Sequence, residues 1–383
     1  MQSARLPNAI CEGLEKRCRR FVWGGSGDTR KLSLVKWNEV CQARRCGGLG
    51  LKRQRLMNDA LLMKLGWKYL TDHNALWVHV WKAKYGDGPL SAVPGHRSSA
   101  VLQAVKKVWS SVVKGARWAV CNSRTAMFWM DRWLPSGTVL LDVAVNEVPA
   151  SLLGRTIAAT PPPHINLGRD RLYWGPFPTG KFTTRSAYEL LADDQNLELA
   201  TSDKQQLWRV VWRWLGPQHI RTFLWLLTKN RLLTNEERRR RHLAADALCG
   251  VCSQADESAL HVLRDCHLAA AIWMKLLPSD YRASFFALQL DDWVLSNLMP
   301  RPDHGYTQWD RTFGVVVWKI WKWRNEHIFQ GKTKEVECGL REILAYIEGL
   351  DKVRECDKKL GGSRRFLSGG VVMSIFGFGC PAG

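Results

Sequence analysis

The sequence lacks a long apolar run and is poor in acidic residues. No stretch approaches the ~18 uncharged apolar residues of a membrane-spanning helix, and the first ten residues hold no apolar run of signal-peptide length. Only 35 Asp and Glu stand against 56 Lys and Arg, so the 383 residues carry a formal net charge of +21. We therefore expect an intracellular chain with a polyanionic partner, either nucleic acid or an anionic membrane surface.

The sequence also lacks common catalytic motifs. It contains no Gly-x-Ser-x-Gly and no His-Glu-x-x-His. Gly47-Gly48-x-Gly50 is glycine-rich but lacks the Lys-Ser/Thr that completes a phosphate-binding loop. These absences predict no catalytic residues and no small-molecule substrate.

Tryptophan, in contrast, is abundant, with 20 residues in the chain. A hydrophobic content of 46% excludes a disordered acidic chain. Trp208, Trp212, Trp214 and Trp225 lie among apolar residues at helical spacing, which favours a buried core. The alternative is that these rings stack on nucleic-acid bases.

Three of the 11 cysteines stand at metal-ligand spacing. Cys249, Cys252, His261 and Cys266 form a C-x2-C-x8-H-x4-C pattern. Zinc prefers four thiolate or imidazole ligands in a tetrahedron, and a site with four protein ligands is structural. Gly250 is predicted to ease the tight turn between the first two cysteines. The remaining eight cysteines are interpreted as small hydrophobes or surface thiols.

Alternatives to this zinc site remain open in the sequence. His267 adjoins Cys266 and competes with His261 as the fourth ligand, and His242 is a weaker competitor. The simplest alternative is that three cysteines and a surface histidine share this spacing by coincidence.

The positive charge is concentrated in two blocks. Residues 1–70 contain 15 Lys and Arg against 5 acidic residues, and residues 204–245 contain 10 against 2. Within these blocks the candidate nucleic-acid contacts are Lys16, Arg17, Arg19, Arg20 and Arg238, Arg239, Arg240, Arg241. The second run is also a candidate nuclear import patch, or a solvated helix face stabilised by Glu236 and Glu237.

The zinc pattern and its aromatic neighbours resemble a known family. The order of landmarks is similar to the zinc-binding domain of plant non-LTR (LINE-type) retrotransposon reverse transcriptases. Similar landmarks on both sides extend the resemblance over roughly residues 4–330. The landmarks of the domain are Trp174, Gly180, Phe182, Ser186-Ala187-Tyr188, Trp208, Trp212, Pro217, Phe223-Leu224-Trp225, Cys249, Cys252, Glu257, His261, Cys266 and Trp273.

The resemblance implies a mainly α fold. It predicts a helical segment that follows the polymerase palm, and a small zinc-stabilised helical module with short β elements. The implied divisions are a basic helical segment at 1–134, a linker at 135–170, the zinc-binding domain at 171–280, a helical connector at 281–330 and a truncated, partly disordered tail at 331–383.

Two departures from the family bear on catalysis. Leu191-Ala192-Asp193-Asp194 is the nearest string to the polymerase aromatic-Ala-Asp-Asp hairpin, but it lacks flanking apolar strands and is interpreted as a polar helix end. The tail after Gln330 lacks the strand-borne carboxylates of a ribonuclease H. We therefore predict a zinc-binding, RNA- or DNA-binding module without catalysis. The alternatives are a residual reverse transcriptase or ribonuclease H-like enzyme, or a zinc-stabilised protein-interaction module.

Overall fold

The chain was analysed as a computed structural model. The structure describes residues 3–24, 32–86, 98–134, 136–145, 168–195, 204–299 and 308–359, and the separate positions 90, 93, 94, 154, 157, 158, 163, 164 and 166. The predicted tail after Gly361 and about half of the predicted 135–170 linker lie outside the described residues.

The described residues are mainly helical, as predicted. Two short strands, β1 (Ala116–Ala119) and β2 (Arg171–Trp174), pair antiparallel with Ala116 opposite Trp174. Arg44–Cys46 forms a 3-10 turn and His261–Asp265 a π-helical turn. The α-helices in chain order are α1 (Asn8–Val22), α2 (Trp37–Val40), α3 (Gln54–Thr71), α4 (Leu76–Tyr85), α5 (Ala100–Lys106), α6 (Trp109–Gly115), α7 (Leu140–Val145), α8 (Thr184–Gln195), α9 (Gln205–Arg213), α10 (Gln218–Thr228), α11 (Asn235–Arg240), α12 (His267–Leu276), α13 (Ser279–Ala287), α14 (Leu290–Leu298), α15 (Trp309–Gln330) and α16 (Val336–Lys359).

Contacts divide the chain into two compact units. The first unit comprises Met1–Lys16 and Lys52–Ala200, and the second comprises Arg17–Leu51 and Thr201–Gly383. These units are groupings by contact, whereas the predicted division at 134, 170, 280 and 330 concerns family segments. That division stays a prediction.

The first unit packs α3 against α6 and α8 around Trp174. The Trp174 side chain is fully buried, and its indole Nε1 donates to Ser186 Oγ at 2.9 Å. The ring lies where a Cβ on Gly115 would stand, at 2.2 Å, so only glycine fits there. The end of β2 is thereby fixed against the first turn of α8.

A single carboxylate organises the loop after β1. Asp170 accepts hydrogen bonds at 2.7–3.2 Å from five backbone N–H groups within residues 121–126. Although burial disfavours the charged form, these donors hold the pKa of Asp170 well below its usual range. Ser123 adopts a left-handed φ of 57° in this loop, a conformation that glycine adopts more readily.

The second unit has one continuous core, and it includes two of the predicted zinc ligands. Trp208, Trp214 and Trp225 are buried in it, as the core interpretation predicted, and Trp212 is half-buried at its edge. Helix α15 supplies Phe313, Val315, Val316, Val317, Ile320 and Trp323 to the same core as Cys249 and Cys266.

Several local predictions need correction. The apolar spacing from Val101 to Val113 predicts one helix, but the structure has two, α5 and α6, separated at Lys107 and Val108. The sequence Gly180–Thr184 is typical of a strand end, but it forms the turn and extended segment that lead into α8. Leu191–Asp194 lies in the last turns of α8, so the interpretation as a helix end is confirmed.

Ser186 and Glu189 match the sequence pattern of a capping box, but the box in the structure begins three residues earlier. Thr183 Oγ1 accepts from the Ser186 N–H at 3.0 Å, and Ser186 Oγ accepts from the Thr183 N–H at 3.3 Å. Glu189 instead pairs with Arg185 on the exposed face.

Thr234 and Glu237 match the same pattern, and half of that box forms. Thr234 Oγ1 accepts from the Glu237 N–H, whereas the Glu237 carboxylate binds Arg240 and Arg241.

Within the described residues, no helix has both the length and the apolarity needed to span a bilayer.

Candidate metal centre

A short hairpin over residues 247–257 positions Cys249 and Cys252. Its backbone bonds run from the Cys249 N–H to Ala255 O at 2.9 Å and from the Glu257 N–H to Ala247 O at 2.6 Å. The turn closes with the Ser253 N–H donating to Cys249 O at 2.8 Å. Both thiols therefore stand on one rigid turn.

The π-helical turn explains the H-x4-C spacing. In an α-helix, residues five apart lie about 140° apart around the axis and cannot share a face. Here the Cys266 N–H donates to His261 O at 2.7 Å, an i+5 to i bond that brings the two residues onto one side. The sequence pattern gives the spacing of this pair but not the wider turn that makes the spacing workable.

The four predicted ligand atoms meet at one point. The three Sγ atoms and the histidine nitrogen all lie within 4.8 Å of one another. Cys249 Sγ is 4.0 Å from Cys266 Sγ, and Cys252 Sγ is 3.3 Å from His261 Nε2. A tetrahedral zinc ion with Zn–S bonds of about 2.3 Å separates its sulfurs by about 3.8 Å. The donor set and its spacing therefore fit zinc.

A hydrogen bond joins the sulfur atoms of Cys249 and Cys266, which lie 4.0 Å apart. Cys249 accepts hydrogen bonds from the Cys266 thiol and from the N–H groups of Cys252 and Val251, which lower the pKa of Cys249 to about 4. The hydrogen bond to Cys249, burial and the neighbouring negative charge raise the pKa of Cys266. Holding every thiol as a thiolate therefore requires a cation among them.

A buried ion pair supports the cysteine turn from behind. Glu257 is fully buried, and its carboxylate pairs with Arg324 of α15, whose side chain is also buried. The same carboxylate accepts from the N–H groups of Asn235 at 3.1 Å and Gly250 at 3.4 Å. Glu257 was recognised only as a family landmark, because its buried partner lies 67 residues downstream.

Gly250 has a different role from the one predicted. Its φ is not positive, so the turn does not demand glycine there. A Cβ on Gly250 would instead stand 2.3 Å from Ile328 Cδ1 of α15. The glycine allows the helix to approach the cysteine turn closely, and Ser253 takes the left-handed position with a φ of 53°.

The competing histidines lie at the edge of the cluster or outside it. His267 Nδ1 is 3.9 Å from Cys266 Sγ and belongs to the first turn of α12. His242 is exposed at the end of α11. Within the described residues, the group whose geometry could hold a metal ion contains His261 and neither competitor.

The predicted arginine run is largely engaged within the protein. Arg240 and Arg241 both bind Glu237, and Arg241 also donates to the carbonyls of Ser33 and Leu34. Burial raises the pKa of Glu237, but the guanidinium groups of Arg240 and Arg241 outweigh burial and hold this pKa below its ordinary value. Arg238 donates to Asn235 Oδ1 at 3.1 Å, whereas the Arg239 side chain is exposed.

The predicted basic residues of α1 have a different environment. Lys16, Arg17, Arg19 and Arg20 are all exposed. Arg19 also lies over the Trp37 ring, with Cζ 5.9 Å from its centroid. The structure therefore leaves the α1 set accessible to solvent, in contrast to most of the arginine run.

Comparison with known proteins agrees with the metal centre. Residues 182–273 match the family described as zinc-binding in reverse transcriptase. An Arabidopsis thaliana protein named "Putative ribonuclease H protein" is 33% identical over 366 residues, 87% of this chain and 58% of that protein. An Arabidopsis thaliana protein named "Uncharacterized mitochondrial protein" is 24% identical over 143 residues, 37% of this chain and 93% of the relative.

These similarities confirm the predicted relation to plant retrotransposon reverse transcriptases: residues 182–273 match their zinc-binding family, and most of the chain is similar to the first relative. The matched family segment contains all four candidate ligands. The chain spans 58% of the length of the first relative, so the activity of that longer protein does not transfer directly.

Proposed function

We propose that this chain, a relative of plant retrotransposon reverse transcriptases, is a zinc-stabilised module that binds RNA or DNA and has no catalytic site of its own. The observation that carries the proposal is the Cys3His cluster inside the matched zinc-binding segment. The net charge of +21 supports a polyanionic partner. Assignment to the LINE, or non-LTR, type of element belongs to this proposal and rests on the sequence landmarks.

Zinc has a structural role in this proposal. Cys249, Cys252, His261 and Cys266 would hold the ion, which leaves no open position for a reactant. A bound zinc ion stabilises the folded state and offsets the charge of the thiolates. Its effect on nucleic-acid binding is indirect, because it fixes the elements that carry the cationic side chains.

The nucleic-acid contacts in this proposal are made mainly to phosphates. The exposed α1 residues Lys16, Arg17, Arg19 and Arg20 and the exposed Arg239 are accessible for such contacts. Phosphate contacts carry little sequence information, so we expect similar affinity for unrelated sequences of equal length.

Salt dependence tests the proposal. We expect the logarithm of the binding constant for a labelled 20-nucleotide RNA, and for the matching DNA strand, to fall linearly with the logarithm of the salt concentration. The magnitude of this slope should be about 0.7–0.9 for each phosphate contact. With five contacts, affinity should fall about 500- to 3,000-fold between 50 and 300 mM salt. Fluorescence anisotropy measures this directly, and an affinity that does not change with salt would contradict the proposal.

A protein-interaction module is the second candidate function, and one observation favours it. Met127, Phe128, Trp129 and Met130 form four consecutive exposed apolar residues, between 48% and 65% accessible. The candidate is supported if the chain binds zinc but no nucleic acid.

A magnesium-dependent nuclease or polymerase activity that one carboxylate substitution removes would contradict the absence of catalysis.

A further inference from the structure

A strongly cationic surface in the second unit was not identified from the sequence motifs. It is formed by Arg44 of the 3-10 turn and by Arg209 and Arg213 of α9, and all three residues are exposed. Arg44 Cζ lies 5.0 Å from the centroid of Trp212, which is half-buried at the margin of the core. We call these three arginines with Trp212 the arginine surface.

The arginine surface is held in place by the core beneath it. Gly47 ends the 3-10 turn with a left-handed φ of 78°, and its carbonyl accepts from Trp225 Nε1 at 2.8 Å. A Cβ on Gly47 would stand 2.6 Å from Trp208, so the turn lies directly against α9. The backbone that carries Arg44 is therefore fixed relative to α9 before any ligand binds.

Helical spacing places the two α9 arginines together. Arg209 and Arg213 are four residues apart and so occupy one face. Trp212 lies three residues from Arg209, between this exposed face and the buried face that contains Trp208 and Val211. Both arginines of α9 therefore lie within one helical turn of Trp212, the ring that Arg44 covers.

Within the described residues, none of Arg44, Arg209 and Arg213 forms an ion pair with a carboxylate. The sequence contains no Asp or Glu from residue 40 to 51 or from residue 204 to 235. In neighbouring elements, Glu39 pairs with Lys229 and Asp291 pairs with Lys204. Arg221 beside this surface donates to the carbonyls of Trp214 and Gly216, which are uncharged acceptors.

Like charges are close together at this surface. Burial and then the positive charge of Arg44 lower the pKa of Arg221, although it stays protonated. A fixed group of cations without carboxylates costs repulsion energy in the free protein, and an anion that binds there relieves it.

We propose that the arginine surface, Arg44, Arg209 and Arg213 around Trp212, is the principal site that binds the phosphodiester backbone of RNA or DNA. This inference rests on the proposed function and assigns its site. The planar guanidinium groups suit bidentate contacts to phosphate oxygens. The ring of Trp212 is covered by Arg44, so it orients that guanidinium group and does not stack on a base.

The test compares two double variants of the zinc-loaded full chain. Arg209→Gln with Arg213→Gln removes two exposed charges from the arginine surface. Lys275→Gln with Lys352→Gln removes two exposed charges that face Glu337 and Glu348. The probes are a 20-nucleotide RNA and the DNA strand of the same sequence, and zinc content and circular dichroism check that each variant is folded.

The arginine variant should lose about 10- to 60-fold in affinity at 0.1 M salt, and its salt slope should fall by about 1.4–1.8. The lysine control should stay within about threefold of the wild type, and Arg44→Gln added to the first pair should weaken binding further. The inference is wrong if the wild type binds with a steep salt slope but the arginine variant is unchanged or the lysine control loses as much. If the wild type binds neither RNA nor DNA, the proposed function fails, and the inference with it.

Discussion

Replacing Cys252 with serine is expected to abolish zinc binding and to destabilise the second unit. Apparent zinc affinities of structural sites correspond to about 10–16 kcal/mol, whereas the total stability of a domain is about 5–15 kcal/mol. Cys249 and Cys266 belong to the same core as α15. Loss of the ion therefore leaves thiols and an imidazole facing one another inside the core of the unit.

The measurement for Cys252→Ser is zinc content by native mass spectrometry, together with thermal unfolding. Cys18→Ser is the matched control, because Cys18 is another half-buried cysteine and lies outside the cluster. We expect Cys18→Ser to keep one zinc ion per chain and the unfolding temperature of the wild type. A Cys252→Ser protein with full zinc content would show that the ligand set is wrong.

Breaking the buried pair of Glu257 and Arg324 should have the next largest effect. Both side chains are at most 4% exposed, and the Glu257 carboxylate also binds the Gly250 N–H of the cysteine turn. Removing one partner of a buried ion pair leaves an uncompensated charge and typically costs about 3–5 kcal/mol. Arg324→Met should therefore lower the free energy of unfolding by this amount and weaken zinc binding.

A double-variant cycle separates the ion pair from general packing. Glu257→Gln combined with Arg324→Met should be less destabilising than Arg324→Met alone, because glutamine carries no charge and keeps an acceptor for the two N–H groups. Arg185→Met breaks an exposed pair with Glu189 and should change stability little. Urea unfolding followed by fluorescence compares these three variants with the wild type, and equal losses in Arg324→Met and in the double variant would contradict the role of the pair.

The zinc cluster could be predicted from the sequence because its information is local. Four ligands within 18 residues at recognisable spacing identify the donor set whatever the surrounding fold. The helical spacing of the apolar residues around Trp208, Trp214 and Trp225 is equally local, and the burial of these three rings follows from it. Predicted helix ends shifted by a few residues because caps such as Thr183 depend on one hydrogen bond.

The supporting contacts could not be predicted because they join distant parts of the chain. Arg324 pairs with a residue 67 positions upstream, and Gly47 meets Trp225 across 178 positions. Arg240 and Arg241 formed part of the most conspicuous basic run in the sequence, yet Glu237 engages both. Composition detects a charge but not its partner, so it could not separate these arginines from Arg209 and Arg213.

The central claim is that zinc holds a module that binds nucleic acid. The most direct measurement is the affinity of the wild-type chain for one labelled RNA strand, before and after removal of zinc with a chelator, at the same salt concentration. The account predicts tight, salt-sensitive binding with zinc, a large loss of affinity without it, and recovery when zinc is restored. Equal affinity in the zinc-loaded and zinc-free protein would contradict it.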